Sequence, residues 1–526
     1  MSEAPAEIAS RIASGYAFSG TALELGSVVL DNTAHAEARV RIPLGMLNRH
    51  GLIAGATGTG KTKTLQGLAE QLSANGVPVV VADVKGDLSG LAAGGAPGDR
   101  ITARAADTGD DWQATAYPVE FLALGGLGSG IPLRATMTAF GPVLLSKILD
   151  LNATQESSLG LIFHYADAAG LALLDLKDLR ALIQFLTSEE GKAELEGIGG
   201  LSKATAGVIL RELITLENNG GDVFFGEPEW EPVDLLRTAA DGRGIISAIE
   251  LSQVQDKPKL FSTFLMWLLA DLFHELPEVG DLDKPKLVFF FDEAHLLFTG
   301  ASKAFLEQVT QTVRLIRSKG VGIFFVTQVP ADVPDSVLGQ LGNRIQHALR
   351  AFTPDDATNL AKAVRTYPKT ADYDLSALLT QLGTGEAVVT VLSDKGAPTP
   401  VAWTRLRAPR SLMAQLDPAQ QAQAVSSSPL QSKYGSAVDR ESAYEKLAAR
   451  LAPPVTPSST PDAPELPAST TATKSGEHHG GAAAAAGGAV AEVLGSTAFK
   501  SFARSAASVL GREITRSLFG TAKRRR

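Results

Sequence analysis

No cysteine occurs among the 526 residues. That excludes disulfides, zinc–thiolate sites and thiol nucleophiles, and it accords with a reducing compartment. Long apolar runs are also missing. None approaches the roughly 20 residues that a bilayer-spanning helix needs, and ALLDLKDLRALIQFL is broken by charges and reads as an amphipathic helix. The amino terminus, MSEAPAEIASRIASGYAF, carries no basic-then-apolar signal pattern. A cytoplasmic location is the expectation. An excess of positive charge is lacking too: the net charge is −9, which argues against a surface coated in nucleic acid. The charge is uneven, however. Residues 499–526 carry eight Lys/Arg and one Glu, or +7, leaving −16 on the rest. A basic tail on an acidic body suits either a local contact with an anionic or protein partner or a solvated helix end.

What is present is apolar bulk, 44% of the chain, enough to bury a large core. The length allows about two to four domains. TALELGSVVL and EARVRIPLG alternate apolar and polar positions and predict short strands, so residues 1–45 read as an N-terminal β segment. GLIAGAT is a buried strand, KTLQGLAEQLSANG a helix stopped at Gly76, and VPVVVAD a second buried strand ending at Asp83. Strand, Gly-rich turn, helix, strand is a βαβ unit with parallel strands. From about 112 to 285 helical periodicity dominates and predicts a helical insertion, with GRGIISAIELS returning to the sheet. KLVFFFDEAHLLF, GVGIFFVTQ, RIQHALRAF and GEAVVTVL then alternate with helices, the pattern of an α/β core over 46–410 with a mostly parallel sheet. A helical extension follows at 411–452. Residues 453–495, rich in Pro, Ser, Thr, Ala and Gly, cannot offset chain entropy by burial and predict a disordered linker. His478 and His479 fall inside it and read as incidental. A basic amphipathic helix closes the chain at 496–526.

The stretch HGLIAGATGTGKTKTLQGLAEQL contains a complete phosphate-binding loop: Gly55, Ala56, Thr57, Gly58, Thr59, Gly60, Lys61 and Thr62. Its glycines let backbone N–H groups converge on phosphates, and the helix that follows points its positive end at them. Lys61 is placed to reach the β- and γ-phosphates, and Thr62 to hold Mg²⁺. In LVFFFDEAH an apolar strand ends at Asp292 and Glu293, at the edge where open α/β sheets bind ligands. Asp292 is placed to support Mg²⁺ and Glu293 to polarise an attacking water. The second acid favours hydrolysis over transfer to another substrate. Thr327 and Gln328 end the neighbouring strand, and Gln328 is placed to sense the γ-phosphate. Asp83, Gly86 and Asp87 either approach the nucleotide or form a turn. Arg314, Arg317 and Arg344, with Arg350 behind them, are candidates for an arginine finger; favourable placement at a helix end competes for the first two.

Together these segments resemble the HerA/FtsK superfamily of ring-forming ATPases, and its HerA-like branch in particular. The resemblance rests on LNRHGLIAGATGTGKT, VVVADVKGDLSGL, LVFFFDEAHLLF, RSKGVGIFFVTQVPADVP and LGTGEAVVTVL, over about 20–410. More narrowly, LNATQESSLGLIFHYAD, KYGSAVDRESAYEKL and the basic carboxy-terminal helix resemble an uncharacterised bacterial HerA-like group. The resemblance implies a RecA-like P-loop NTPase fold, ATP and Mg²⁺ as ligands, ATP bound between subunits of a homo-oligomer, a hexamer, and DNA as a track. It assigns phosphate and Mg²⁺ to Lys61 and Thr62, Mg²⁺ to Asp292, the catalytic acid to Glu293 and the sensor to Gln328. It leaves the finger open. HerA members carry a fuller N-terminal β-barrel than this chain's short strand segment, which puts a nuclease partnership in doubt. No LSGGQ-like or N-K-x-D motif points to a transporter ATPase or a GTPase. Three readings stay open: a DNA translocase or helicase, a protein-directed or regulatory ATPase with the basic tail as its docking peptide, and a nucleotide switch of negligible turnover. The tail is also compatible with weak binding to an anionic membrane.

Overall fold

The computed structural model describes residues 3–451 apart from Glu196 and Ser302. The linker expected at 453–495 and the helix expected at 496–526 lie outside the described residues. Twelve strands form one sheet: β1 (Ala22–Leu30), β2 (Thr33–Pro43), β3 (Gly51–Ala54), β4 (Val79–Asp83), β5 (Val119–Leu124), β6 (Ile131–Leu133), β7 (Ile246–Glu250), β8 (Leu287–Phe291), β9 (Val321–Thr327), β10 (Asn343–Gln346), β11 (Glu386–Thr390) and β12 (Ala402–Leu406). Their order is β2-β1-β12-β11-β10-β3-β9-β8-β4-β7-β5-β6. The run from β10 to β6 is parallel, and the four strands beyond β10 are antiparallel.

The central strands β4, β8 and β9 are runs of apolar residues, broken only at the carboxyl ends by Asp83 and Thr327, because both faces are covered. In β8, Leu287, Phe289 and Phe291 enter one core while Val288 and Phe290 enter the other. The same period of two divides β9, with Ile323 and Phe325 on the first face and Phe324 and Val326 on the second. The second face is packed by the helix Lys61–Ala74 through Leu65, Leu68, Ala69 and Leu72. The first face is packed by helices Met137–Ile148, Ala153–Ala168, Leu176–Leu186 and Pro258–Glu275, where Phe264 and Trp267 meet at 5.0 Å.

The span read as helical, about 112–285, carries two sheet strands besides β7, the strand read from GRGIISAIELS. β5 and β6 extend the sheet beyond β7. They are short, and helices surround them in sequence, so helical periodicity masks their signal. The N-terminal strands join the same sheet: β1 pairs with β12, so β1 and β2 close one of its edges. The strand read from RIQHALRAF stops at Gln346, because the next residues turn toward the loop after β3, where the Ala348 carbonyl accepts from Ala56 N–H at 2.8 Å. Residues 411–451 form helices Pro418–Ser427, Gln431–Tyr434 and Ala443–Leu451, and Tyr434 packs on Trp230 at 4.3 Å. Among the described residues no helix is long and apolar enough to cross a membrane.

Candidate active site

Parallel strands bring their carboxyl ends to one edge. Ala54 at the end of β3 is in register with Thr327 at the end of β9, and β9 separates β3 from β8. The phosphate-binding loop and the Asp292–Glu293 pair therefore stand two strand spacings apart, about 10 Å, with Thr327 and Gln328 between them.

The loop is held from below. Gly55 N–H donates to Thr327 O, and Thr59 Oγ1 donates to Ala56 O at 2.7 Å. Gly55 has φ +154°, and a Cβ there would lie 2.5 Å from His347 Cβ. Only glycine fits both conditions. His347 is buried, and its ring takes the Nδ1-protonated form: Nδ1–H donates to Thr59 O at 3.1 Å while Nε2 accepts from Thr64 Oγ1 at 2.9 Å. Burial, then the nearby Lys61 charge, pushes its pKa down to about 4, so the ring is neutral near pH 7. His347 thus ties the loop to the first turn of the helix Lys61–Ala74. Among the described residues, the N–H groups of Gly58, Gly60, Lys61 and Thr62 find no acceptor. Converging orphan donors at a helix start are a fitting cradle for phosphate oxygens. Lys61 folds over the loop and donates to Ala56 O at 3.1 Å, and burial lowers its pKa.

Asp292 is 8% exposed and accepts from Glu293 N–H at 2.9 Å. Burial first, then the Glu293 charge, raises its pKa to about 6. Glu293 has φ +49°, a left-handed backbone uncommon away from glycine. Its Oε1 accepts from Lys85 Nζ at 2.9 Å, and its Oε2 is buried without a hydrogen-bond partner, with His295 Nδ1 3.4 Å away. Thr327 Oγ1 donates to Asp332 at 2.6 Å, so it is engaged in the turn after β9, while Gln328 is exposed. Among the described residues no group of three or more His, Asp or Glu could hold a metal ion. Thr62 and Asp292 fit Mg²⁺ bound largely by phosphates and water, the mode this ion favours.

Asp83 resolves in favour of the turn. Its buried carboxylate accepts from the backbone N–H groups of Lys85, Gly86, Asp87 and Leu88, at 2.7–3.3 Å. The arginines are dispersed. Arg314 is exposed near the end of the helix Lys303–Ile316, and Arg317 follows it, both before β9 begins and so at the opposite edge of the sheet from the phosphate-binding loop. Arg344 lies within β10, half-buried, and leans on the carbonyls of Leu338 and Leu341. Arg350 is exposed beside Phe352, past the end of β10. The structure brings none of the first three to its own loop. Lys85, His295 and His347 escaped the sequence reading. VKGD following a buried strand was a usable signal for Lys85; nothing local marks His347, whose partners are nearly 300 residues away.

A family model described as Helicase HerA-like C-terminal matches residues 29–526. The chain belongs to the HerA-like helicase family. It carries a RecA-like P-loop NTPase fold. The probable helicase MJECL08 of Methanocaldococcus jannaschii is 30% identical to this HerA-like chain over 154 residues, covering 27% of this chain and 28% of that protein. The match spans less than a third of that relative. Among solved structures, the plasmid coupling protein TrwB in complex with a non-hydrolysable ATP analogue has a TM-score of 0.50 and 14% identity, covering 76% of this chain and 98% of that one. VirB4 of Thermoanaerobacter pseudethanolicus has a TM-score of 0.47 and 14% identity, covering 74% and 97%. At such identity the TrwB likeness speaks to the fold alone.

Proposed function

We propose that this HerA-like chain is a Mg²⁺-dependent ATP hydrolase that drives translocation along DNA as a ring-forming, hexameric motor. The observation that carries the hydrolase part is the meeting of three strand ends, which presents the loop of β3, Gln328 after β9 and Asp292–Glu293 after β8 to one ligand. The orphan N–H groups and Lys61 bind the phosphates. Thr62 and Asp292 hold Mg²⁺, which supplies charge neutralisation on the phosphates when bound. Glu293, through its Oε2, which carries no hydrogen bond, takes a proton from the attacking water as the water oxygen bonds to the γ-phosphorus and the bond to the β-phosphate oxygen breaks. Gln328, free of the turn that engages Thr327, reports the state of the γ-phosphate. An arginine finger from a neighbouring subunit completes the site. Arg314 is the most suitable of the three candidates, being exposed and free of partners among the described residues, whereas Arg317 stands beside Arg49 and Arg344 is spent on its own turn. The DNA track is supported by family membership and by a relative named as a probable helicase.

The acidic body, −16 outside the last 28 residues, favours a second reading: a motor acting on a protein. ATP hydrolysis with and without single- and double-stranded DNA, beside Glu293→Gln, separates the two. Glu293-dependent hydrolysis stimulated by DNA, with salt-sensitive binding, supports the DNA motor. Hydrolysis that is Glu293-dependent but indifferent to DNA rejects it and supports the protein-directed reading.

A further inference from the structure

We propose that Lys85 is the positioning residue of the hydrolytic step: it holds Glu293 by one carboxylate oxygen and leaves the other aimed at the water. This rests on the ATPase reading above and extends it to a residue outside the phosphate-binding loop and the acid pair. Lys85 Nζ donates to Glu293 Oε1 at 2.9 Å, while Oε2 is buried and carries no hydrogen bond. A carboxylate bound at one oxygen cannot rotate freely about its last torsion, so the other oxygen, 3.4 Å from His295 Nδ1, keeps a fixed direction. That is the restriction a general base needs, since a small misplacement of a reacting group is costly in rate.

The lysine is itself held. The Asp83 carboxylate collects four successive backbone N–H groups, Lys85 to Leu88, and so fixes the backbone that carries the side chain. From outside, Gln415 Nε2 approaches the Lys85 carbonyl at 3.4 Å and Leu416 N–H donates to Ser89 Oγ at 3.0 Å. Two independent contacts thus fix one short turn. Its lysine crosses from the end of β4 to the end of β8, the strand beside it. The positive charge there also offsets the repulsion between Asp292 and Glu293, two carboxylates adjacent in sequence at one strand end.

The test compares Lys85→Met and Lys85→Arg with the wild type and with Glu293→Gln, singly and combined, in full-length protein. Steady-state ATP hydrolysis gives kcat and KM, and binding of a non-hydrolysable ATP analogue controls for folding and phosphate affinity. The expected result is a fall in kcat of about 10–100-fold for Lys85→Met, an analogue affinity within about twofold of the wild type, partial recovery in Lys85→Arg, and little further loss when Lys85→Met is added to Glu293→Gln. Non-additivity is the signature of a residue acting through Glu293. An unchanged or raised kcat in Lys85→Met overturns the inference, as does a loss of analogue affinity additive with Glu293→Gln, which would make Lys85 a phosphate ligand. Glu293-dependent activity in the wild type with Lys85→Met indistinguishable from it refutes this inference alone. A wild type without ATPase activity refutes the ATPase reading and this inference with it.

Discussion

Replacing Asp292 by asparagine should stabilise the ligand-free protein. Asp292 is 8% exposed, and in the absence of a cation its ionised form is penalised by burial and by the neighbouring Glu293. Its pKa rises from 3.8 to about 6. A shift of about two units is worth about 3 kcal/mol between the protonation states. The sign follows from proton counting. Between the two pKa values the folded protein holds a proton that the unfolded chain has lost, so stability falls as pH rises through this window and the full penalty is present above about 6. The amide introduced by Asp292→Asn would keep the oxygen that accepts Glu293 N–H and carry no charge. In Mg²⁺-free buffer the variant should exceed the wild type by about 3 kcal/mol at pH 8 and by roughly half that at pH 5. Urea unfolding at the two pH values measures both differences. Adding Mg²⁺ with ADP should narrow the gap at pH 8, because only the wild type keeps the ionised ligand for the cation. A variant less stable than the wild type at pH 8, or a gap independent of pH, would refute the reasoning.

Other substitutions probe other parts of the site. Glu293→Gln should lower kcat by about 10²–10⁴-fold while leaving binding of a fluorescent ATP analogue intact; equal loss of binding would give Glu293 a different role. Gly55→Ala places a Cβ 2.5 Å from His347 Cβ at φ +154° and should cost about 1–3 kcal/mol in urea unfolding, with loss of nucleotide affinity. His347→Ala removes two hydrogen bonds, to Thr59 O and Thr64 Oγ1, which keep Gly385 N–H and Gly60 O as partners; at about 0.5–1.5 kcal/mol for each bond lost it should cost about 1–3 kcal/mol, again read by urea unfolding. Because the His347 pKa is depressed to about 4, its contribution to wild-type stability is lost as pH falls from the usual histidine range toward 4, opposite in sense to that of Asp292. The pH dependence of His347→Ala measured against the wild type should show that acid-side loss removed.

The two ends of the problem differ in how local they are. The phosphate-binding loop, the βαβ unit and the acid pair after LVFFF were legible because each is a contiguous signal. Glycine spacing, unbroken apolar runs and a helix start encode them within a dozen residues, and the fold sets each one at a strand's carboxyl end. Those segments carried the α/β class and the residues proposed for the nucleotide site. What the tertiary structure decided depends on residues distant in sequence. That β9 stands between β3 and β8, so that Gln328 lies between loop and acids, follows from strand order. That β1 and β2 join the edge of the sheet follows from pairing with β12, nearly 380 residues away. Asp83 could as well have faced a nucleotide as a turn until its four backbone donors were placed. His347 and Lys85 owe their roles to partners 283 to 288 and 208 residues away. Local sequence fixes φ, ψ and the periodicity of burial; it carries no term for which strands become neighbours. That choice is made by packing two apolar faces at once, and it decides which side chains meet at the carboxyl edge of the sheet.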